Sequence, residues 1–302
     1  MAITKLDQML EALKGRPKRR LVAAFANDGH TLAAVHDAIQ AGVVDGILTG
    51  DEAAIRRICA EEGIDPAAFR IVHEPVDVRA AALAVALING READVLMKGS
   101  LSTDRYMRAI LDKEKGLMEP GAILSHVTVI ELPRHPKLLV CGDVAVIPQP
   151  DLKQKVAITN YVIATAQALG IDRPKVALLA ASEQVLPNYS HCIEAAAIAK
   201  MADRGQIKGA LVDGPLALDA AVDPEAAGIK GLQGPVAGDA DGLVFADIEG
   251  GNVFYKTCSK LAGAELAAMV VGARVPCILS SRGDSTRTKL YSIALAALAA
   301  KA

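Results

Sequence analysis

Short, mostly apolar segments alternate along most of the chain with longer segments whose apolar residues recur at the helical period. In the first third, the short segments lie at 21–26, 46–50, 70–74 and 94–99. Few of their residues are polar, as expected of strands that helices cover on both faces. This alternation predicts βαβ units around a parallel sheet, and therefore an α/β fold.

The alternation is interrupted once and then resumes. Segments 122–132 and 137–147 follow each other without a helical segment between them, which predicts an antiparallel pair, and the prolines within 146–151 are typical of a linker. Beyond it, the pattern predicts helices at 151–169 and 189–203, and strands at 175–180, 209–214, 242–247 and 275–280, the last two bracketing helical stretches. A chain of 302 residues with this pattern is expected to form two domains.

Composition narrows the class of protein. Lysine and arginine number 33 against 35 acidic residues, a net charge of −2, so the basic excess expected of a nucleic-acid-binding protein is missing. Charges interrupt every apolar run before it reaches membrane-spanning length, and we expect a cytoplasmic protein with no membrane partner. The five cysteines are far apart and the six histidines form no ligand motif, so no metal is expected.

A polar cluster at the mouth of the last predicted strand, before the final helix, indicates an anion site. Ser281, Gly283, Asp284 and Ser285 suit a strand-to-helix turn, because serine and aspartate cap free amides and glycine permits close approach of the backbone. Arg282 does not fit a simple cap, since a cation at a helix N-terminus opposes the macrodipole unless an anion lies between them. Guanidinium and helix amides together favour a bound phosphate.

A second cluster repeats this arrangement at 97–105. Lys98, Gly99 and Ser100 leave a predicted strand, and Thr103 lies at the start of the next predicted helix. The order of glycine and lysine is not that of a Walker loop. Two such turns in one chain favour a ligand with several anionic groups. Carboxylates also recur near predicted strand ends, and a helix cap is the simplest interpretation of each: Asp213, Asp241 and Asp247.

Several longer stretches carry a family resemblance. Residues 212–222, 235–257 and 275–285 resemble, in order and spacing, the motifs of the phosphate acetyltransferase and phosphate butyryltransferase family. Residues 97–111 and 116–131 are more similar to its butyryl branch, so the resemblance covers nearly the whole chain.

The resemblance implies an architecture and a reaction. The fold would be two doubly wound α/β domains with an interdomain cleft holding the active site, like isopropylmalate dehydrogenase. We expect domain I at 1–141 plus 272–302 and domain II at 142–271. The reaction would convert acyl-CoA and inorganic phosphate to acyl phosphate and CoA, so that CoA and phosphate are substrates. It would need no obligatory cofactor or metal and form no covalent acyl-enzyme. The protein would assemble as a homodimer.

The same resemblance assigns catalytic residues. A thiol with a pKa of about 8.5 is mostly protonated at neutral pH, so the CoA sulfur needs a proton acceptor or a hydrogen-bonding partner. Ser281 is the candidate for orienting that sulfur, and Arg282 for stabilising the oxyanion and the phosphate. The acetyl branch has an aspartate as a proposed base where this chain has Thr288, which leaves Asp284 and His126 as alternatives.

The remaining positions are assigned to substrate binding. Asn252 and Lys256, four residues apart on a predicted helix, would share one face near the substrates. Lys98, Ser100 and Thr103 are assigned to phosphate or to the phosphates of CoA. Asp213 is expected to hold its turn together.

Two other functions stay open from the sequence. A metal-dependent, NAD(P)-linked decarboxylating dehydrogenase would share the architecture. It needs both metal-binding carboxylates and a tyrosine–lysine pair, and we do not recognise both in this sequence. A non-catalytic protein that binds CoA or an acyl phosphate is the other, and the presence of Ser281 and Arg282 argues against it.

Overall fold

A computed structural model describes residues 2–279 and 284–301, and these residues form eleven strands and eleven α-helices. The strands are β1 (Arg19–Ala24), β2 (Val44–Gly50), β3 (Phe69–His73), β4 (Val95–Lys98), β5 (Ser125–Glu131), β6 (Leu139–Gly142), β7 (Lys175–Leu179), β8 (Leu211–Leu216), β9 (Gly242–Val244), β10 (Glu265–Val271) and β11 (Cys277–Ile278). The helices are α1 (Gln8–Leu13), α2 (Gly29–Gln40), α3 (Glu52–Glu62), α4 (Asp77–Asn89), α5 (Thr103–Leu111), α6 (Leu152–Ala168), α7 (Ser190–Asp203), α8 (Leu218–Val222), α9 (Pro224–Ile229), α10 (Ile248–Lys260) and α11 (Thr286–Ala299).

The chain divides into two compact units, each discontinuous in sequence. The terminal unit comprises Leu6–Leu124 and Ala267–Ala302, and the central unit comprises Met1–Lys5 and Ser125–Leu266. The domain bounds expected from the sequence, at 141/142 and 271/272, lie further along the chain than these divisions. Residues 125–141 group with the central unit because β5 pairs with β6, and β6 pairs in turn with β9.

The sheet of the terminal unit is mostly parallel. Its strand order is β3-β2-β1-β4-β11-β10, and every pair is parallel except β10 with β11. In the register of β11 with β4, Cys277 lies opposite Leu96 and Ile278 opposite Met97. The last helix, α11, packs against α1 and α2. The C-terminal segment therefore supplies both a strand and a covering helix to this unit.

In the central unit the strand order is β5-β6-β9-β7-β8. The first pair is antiparallel, as the sequence predicts for segments 122–132 and 137–147, and the others are parallel. Its buried core includes Ile130, Leu139, Ala177 and Leu243, drawn from four of these strands. Burial of such strand residues is the main favourable term for folding.

Local sequence explains where several helices begin. Asp28 accepts a hydrogen bond from the amide of Thr31 at 2.8 Å and so caps α2. Asp151 and Gln154 form a reciprocal capping box at the start of α6. These interactions satisfy amides that have no partner inside the helix.

The predicted α/β class is confirmed, and one strand was not anticipated. Residues Glu265–Val271 form β10, although they lie in a stretch predicted to be helical. The segment is rich in alanine, which favours a helix, but five of its seven residues are buried as a strand in the sheet. Tertiary burial here overrides the local preference.

Candidate functional site

The turn after β4 is fastened to the end of β1. Lys98, the last residue of β4, is buried, and its ammonium donates to the carbonyl of Gly99 at 3.2 Å. Ser100 donates to the carbonyl of Phe25 twice, from its amide at 2.9 Å and from its hydroxyl at 3.1 Å. These bonds fix Lys98, Gly99 and Ser100 at the carboxyl end of the terminal sheet, where doubly wound sheets bind ligands.

Gly99 must be a glycine because the turn after β4 lies so close to the backbone at the end of β1. A Cβ atom at this position would lie 2.3 Å from the carbonyl oxygen of Phe25 and 2.7 Å from that of Ala24. Both are backbone atoms, so no side-chain movement relieves the overlap. Only glycine lets β1 and the turn approach this closely.

The turn leads into a capped helix. Thr103 begins α5, and the hydroxyl of Ser102 accepts from the amide of Arg105 at 3.3 Å. The predicted helix start at this position is therefore confirmed. Thr103 itself is exposed at the N-terminus, where free amides favour an anion.

The second predicted turn follows β11. Ser281, Arg282 and Gly283 lie outside the described residues. On the far side, Ser285 caps α11, with its hydroxyl accepting from the amide of Thr288 at 3.1 Å. Asp284 is half-buried, and the cap of α11 is Ser285.

The strands β4 and β11 end at the same edge of the sheet, because they are parallel neighbours. We refer to residues 25–28, 98–103 and 284–289 as the terminal carboxyl edge. It joins the end of β1 to the starts of α5 and α11. Lys289, a buried lysine on α11 whose ammonium faces Asp28, belongs to this edge and was missed by the sequence analysis.

His126 lies in the central unit, within β5, and is only 4% exposed. Its backbone amide donates to a carboxylate oxygen of Asp143 at 3.1 Å. The adjacent Ser125 donates its hydroxyl to the same oxygen at 2.8 Å. The position of His126 along β5 is therefore fixed by a carboxylate on the neighbouring strand end.

Asp143 is the second functional candidate that sequence reasoning missed. It is 2% exposed, and besides the two donors on β5 it accepts from the amides of Ala145, Val146 and Ile147 at 2.7, 2.9 and 3.3 Å. The charge of the carboxylate is thus offset entirely by hydrogen-bond donors among the described residues. A lone Gly-Asp pair gives no sequence signal for this role, because Ser125 is distant in sequence.

The loop that Asp143 organises also positions Asn252. The side-chain amide of Asn252 donates to the carbonyl of Val144 at 3.0 Å, and α10 approaches closely because a Cβ on Gly251 would lie 2.4 Å from the carbonyl of Asp143. Lys256, one turn further along α10, is exposed.

Of the three carboxylates interpreted as helix caps, one has that role. Asp247 caps α10 by accepting from the amide of Gly250 at 2.8 Å. Asp213 lies inside β8 and accepts from the amide of Gly214. Asp241 precedes β9 and accepts from the amide of Lys175 at 2.8 Å. The cap interpretation is therefore wrong for Asp213 and Asp241, which bond to the backbone of strands.

At least two of the five cysteines are poor nucleophiles. All five are free and buried. Burial raises the pKa of Cys277 to about 12 and raises that of Cys141 well above its usual range. Because only the thiolate attacks well, these two side chains stay unreactive at neutral pH.

Two further properties concern the described parts of the chain. Over residues 2–279 and 284–301, His, Cys, Asp and Glu side chains do not gather in threes in a way that would hold a metal ion. No helix in these ranges has the length and apolar character needed to cross a membrane.

The fold is that of an α/β protein whose terminal unit carries, between β4 and α5, a turn that ends at a helix N-terminus suited to an anion. The chain belongs to the family described as Phosphate acetyl/butaryl transferase, which it matches over residues 62–297. The predicted membership is thereby confirmed, and with it the predicted class, an acyltransferase.

Individual relatives agree with this membership. The chain is 43% identical to a phosphate butyryltransferase of Clostridium acetobutylicum, covering 99% of both chains. It is 41% identical to a phosphate acetyltransferase of Thermotoga maritima, covering 97% of this chain and 99% of the relative. The crystal structure of a branched-chain phosphotransacylase from Enterococcus faecalis V583 superposes with a TM-score of 0.81 at 30% identity, covering 93% of this chain and 98% of that one.

Proposed function

We propose that this protein transfers a short-chain acyl group reversibly between CoA and inorganic phosphate, directly and within a ternary complex. The observation that supports the proposal is the parallel pairing of β4 with β11 in a chain of this family, because these neighbouring strands precede α5 and α11 in the sequence. Both substrates carry phosphate groups, and helix N-termini with lysine and arginine bind such groups.

The phosphate is assigned to the terminal carboxyl edge. Lys98, Gly99, Ser100 and Thr103 offer a buried ammonium, a close backbone approach, a hydroxyl and a helix N-terminus. From the adjacent turn, Gly283 would admit the phosphate to the backbone. A bidentate guanidinium at Arg282 would complete the site.

The chemical step exchanges one bond for another at the acyl carbon. Toward acyl-CoA, the CoA sulfur attacks the carbonyl of the acyl phosphate, the carbon–oxygen bond to phosphate breaks, and the thiol proton passes to a base. In reverse, a phosphate oxygen attacks the thioester and the thiolate departs. Ser281 orients the sulfur, and Arg282 stabilises the oxyanion that forms between the two states.

Two residues are candidates for the base. Asp284 lies directly before Ser285, the cap of α11, and follows Ser281 by three residues in the sequence. His126 lies on β5 in the central unit, where Asp143 holds its backbone. The pH dependence of the rate in Asp284→Asn and in His126→Gln distinguishes the two residues. Only the variant that lacks the base loses the part of the pH–rate curve in which the rate follows ionisation of that base.

Other assignments complete the proposal. Asn252, Lys256 and Asp213 contact the substrates in the central unit. The protein works as a cytoplasmic homodimer, with neither a membrane nor a nucleic acid as partner, and it needs no metal or other cofactor. Family membership favours acyl transfer over both the NAD(P)-linked dehydrogenase and a non-catalytic binding protein.

The test is release of free thiol from acetyl-, propionyl- and butyryl-CoA by the purified protein, with and without phosphate. We expect phosphate-dependent thiol with at least one of the three, and the ratio of their rates identifies the preferred acyl length. Arsenate in place of phosphate gives an independent arm, since acyl arsenate hydrolyses and drives the reaction forward. A rate of thiol release that does not depend on phosphate or arsenate would contradict the proposal. Failure to release thiol from any of the three substrates would also contradict it.

A further inference from the structure

Lys289 is a buried lysine whose ammonium has no hydrogen bond to the described residues. It lies one turn into α11 and is 4% exposed. Lysine is rarely this buried unless it is paired. An ammonium has three N–H donors, each of which an oxygen acceptor can engage.

Among the described residues, its ammonium forms one ion pair, with Asp28, and the contact is weak. Their nitrogen and oxygen are 3.9 Å apart, beyond hydrogen-bond length. The same carboxylate oxygen already accepts the amide of Thr31 at 2.8 Å in its role as cap of α2. Asp28 therefore offsets the charge of Lys289 in part but does not satisfy its donors.

The location of the ammonium is the terminal carboxyl edge. Asp28 lies four residues beyond the end of β1, and Phe25, the residue directly after that strand, accepts both hydrogen bonds of Ser100 through its carbonyl. Lys289 itself is four residues beyond Ser285, the cap that follows the Ser-Arg-Gly turn. The cation thus lies among elements already assigned to phosphate, in the same unit.

We infer that Lys289 binds a phosphate group of the substrates, as a further binding residue for the proposed reaction. The inference rests on the proposed function for the identity of the ligand, but on the geometry of the terminal unit for the site. A phosphate presents several oxygens that accept hydrogen bonds from an ammonium, which is what this buried side chain lacks. Inorganic phosphate and the phosphates of CoA share that chemistry.

The kinetic test uses Lys289→Met, which keeps the length of the side chain and removes the charge. We expect the KM for phosphate, or for acyl-CoA if its phosphates are the ligand, to rise about tenfold or more. Lys155→Met is the matched control, because Lys155 is equally buried at 4% but donates to His191 and Glu194 in the central unit. That control should leave both KM values within about twofold. Unchanged KM values for both substrates in Lys289→Met would overturn the inference.

A binding measurement separates this inference from the proposed reaction. Titrating inorganic phosphate, and in a separate series CoA, while recording the thermal midpoint reports binding to the folded protein without any turnover. We expect at least one of the two to raise the midpoint of the wild type and of Lys155→Met, with a half-effective concentration about tenfold or more higher in Lys289→Met. Such a result would uphold the site even if no acyl transfer were found. Titration curves that coincide for wild type and Lys289→Met with both inorganic phosphate and CoA would reject it even in an active enzyme.

Asp28→Asn distinguishes phosphate binding from a purely structural ion pair. It keeps a capping side chain for α2 and removes the carboxylate that faces Lys289. If Lys289 binds phosphate, Asp28→Asn leaves the half-effective phosphate concentration unchanged or lowers it. If the pair were only structural, both variants would lower the midpoint equally and leave the phosphate titration unchanged, which would contradict the inference.

Discussion

Lys155 and Lys289 are equally buried, yet their surroundings differ. In the central unit, the ammonium of Lys155 lies 2.9 Å from Nδ1 of His191 and also donates to the carboxylate of Glu194. In the terminal unit, the ammonium of Lys289 has a carboxylate oxygen only at 3.9 Å. Lys155, with two hydrogen-bonding partners, links α6 to α7, whereas the ammonium of Lys289, with no hydrogen bond to the described residues, has donors to offer an anion.

The space beside Lys155 agrees with a role in packing. A cavity of about 10 Å³ there is lined by Leu178, His191 and Phe245, among others, and has room for no more than a single water. Within the described residues, the carboxylate of Asp143 resembles Lys155: it is buried and fully bonded, and it builds the site without being free to bind substrate.

The largest expected effect is on Asp143, the fully bonded carboxylate. Asp143→Ala leaves the hydroxyl of Ser125 and several amides buried without an acceptor, so we expect the free energy of unfolding to fall by about 3–5 kcal/mol. Urea denaturation measures it. Ser125→Ala removes a single donor and should cost about 1 kcal/mol. A loss below about 1 kcal/mol for Asp143→Ala would show that the loop does not depend on this carboxylate.

Gly99 tests the close contact of the terminal carboxyl edge. Gly99→Ala places a Cβ 2.3 Å from a backbone oxygen, and we expect a loss of about 2–3 kcal/mol together with a raised KM for phosphate. Gly228→Ala is the control, since nothing lies within 4 Å of a Cβ there and the residue is helical. It should be neutral or slightly stabilising. Equal denaturation midpoints and KM values for the two variants would contradict the packing argument.

The two lysines should respond differently in stability. Lys155→Met leaves Glu194 without its ammonium, and because that carboxylate is 26% exposed we expect a loss of only about 1–2 kcal/mol. Lys289→Met removes a poorly bonded cation, so its free energy of unfolding without phosphate should change by less than about 1 kcal/mol, in either direction. Denaturation in phosphate-free buffer measures both. A larger loss of unfolding free energy in Lys289→Met than in Lys155→Met would contradict the comparison.

The smallest effect concerns acid stability at the far end of the terminal sheet. Hydrogen bonds from Arg20, at 2.7–3.0 Å, lower the pKa of Asp94. Because its folded pKa lies below the unfolded value of about 3.9, this contribution is complete above that pH and disappears as the pH falls through the folded pKa. Arg20 is largely solvated, so Asp94→Asn should cost about 1 kcal/mol or less at pH 7. Wild type and variant should converge in strong acid, and a constant difference at every pH would be evidence against the ion pair.

The sequence predicted those features that arise from local pattern. The apolar segments placed β1 to β4 within a few residues, and the capped turn before α5 was recognised because serine, threonine and aspartate follow one another. The antiparallel pair of β5 and β6 was visible because no helical segment separates them. In contrast, β10 was missed because its alanines favour a helix until the sheet buries them.

What the sequence could not reveal depends on contacts between distant residues. Asp143 bonds to Ser125 across two strands, and Lys289 faces Asp28 across two helices from opposite ends of the chain. Neither pairing has a local signature. The buried Lys289 was also not predicted, because a single lysine in a helix is usually a solvated residue.

Direct transfer between CoA and phosphate is the central claim, and isotope exchange tests it most directly. The protein is incubated with acyl phosphate and radiolabelled inorganic phosphate, with and without CoA. The account predicts that label enters acyl phosphate only when CoA is present, since without the thiol no acyl group can leave the phosphate. Exchange at a comparable rate without CoA would mean that the acyl group is bound covalently to the protein as an intermediate, and would contradict the account.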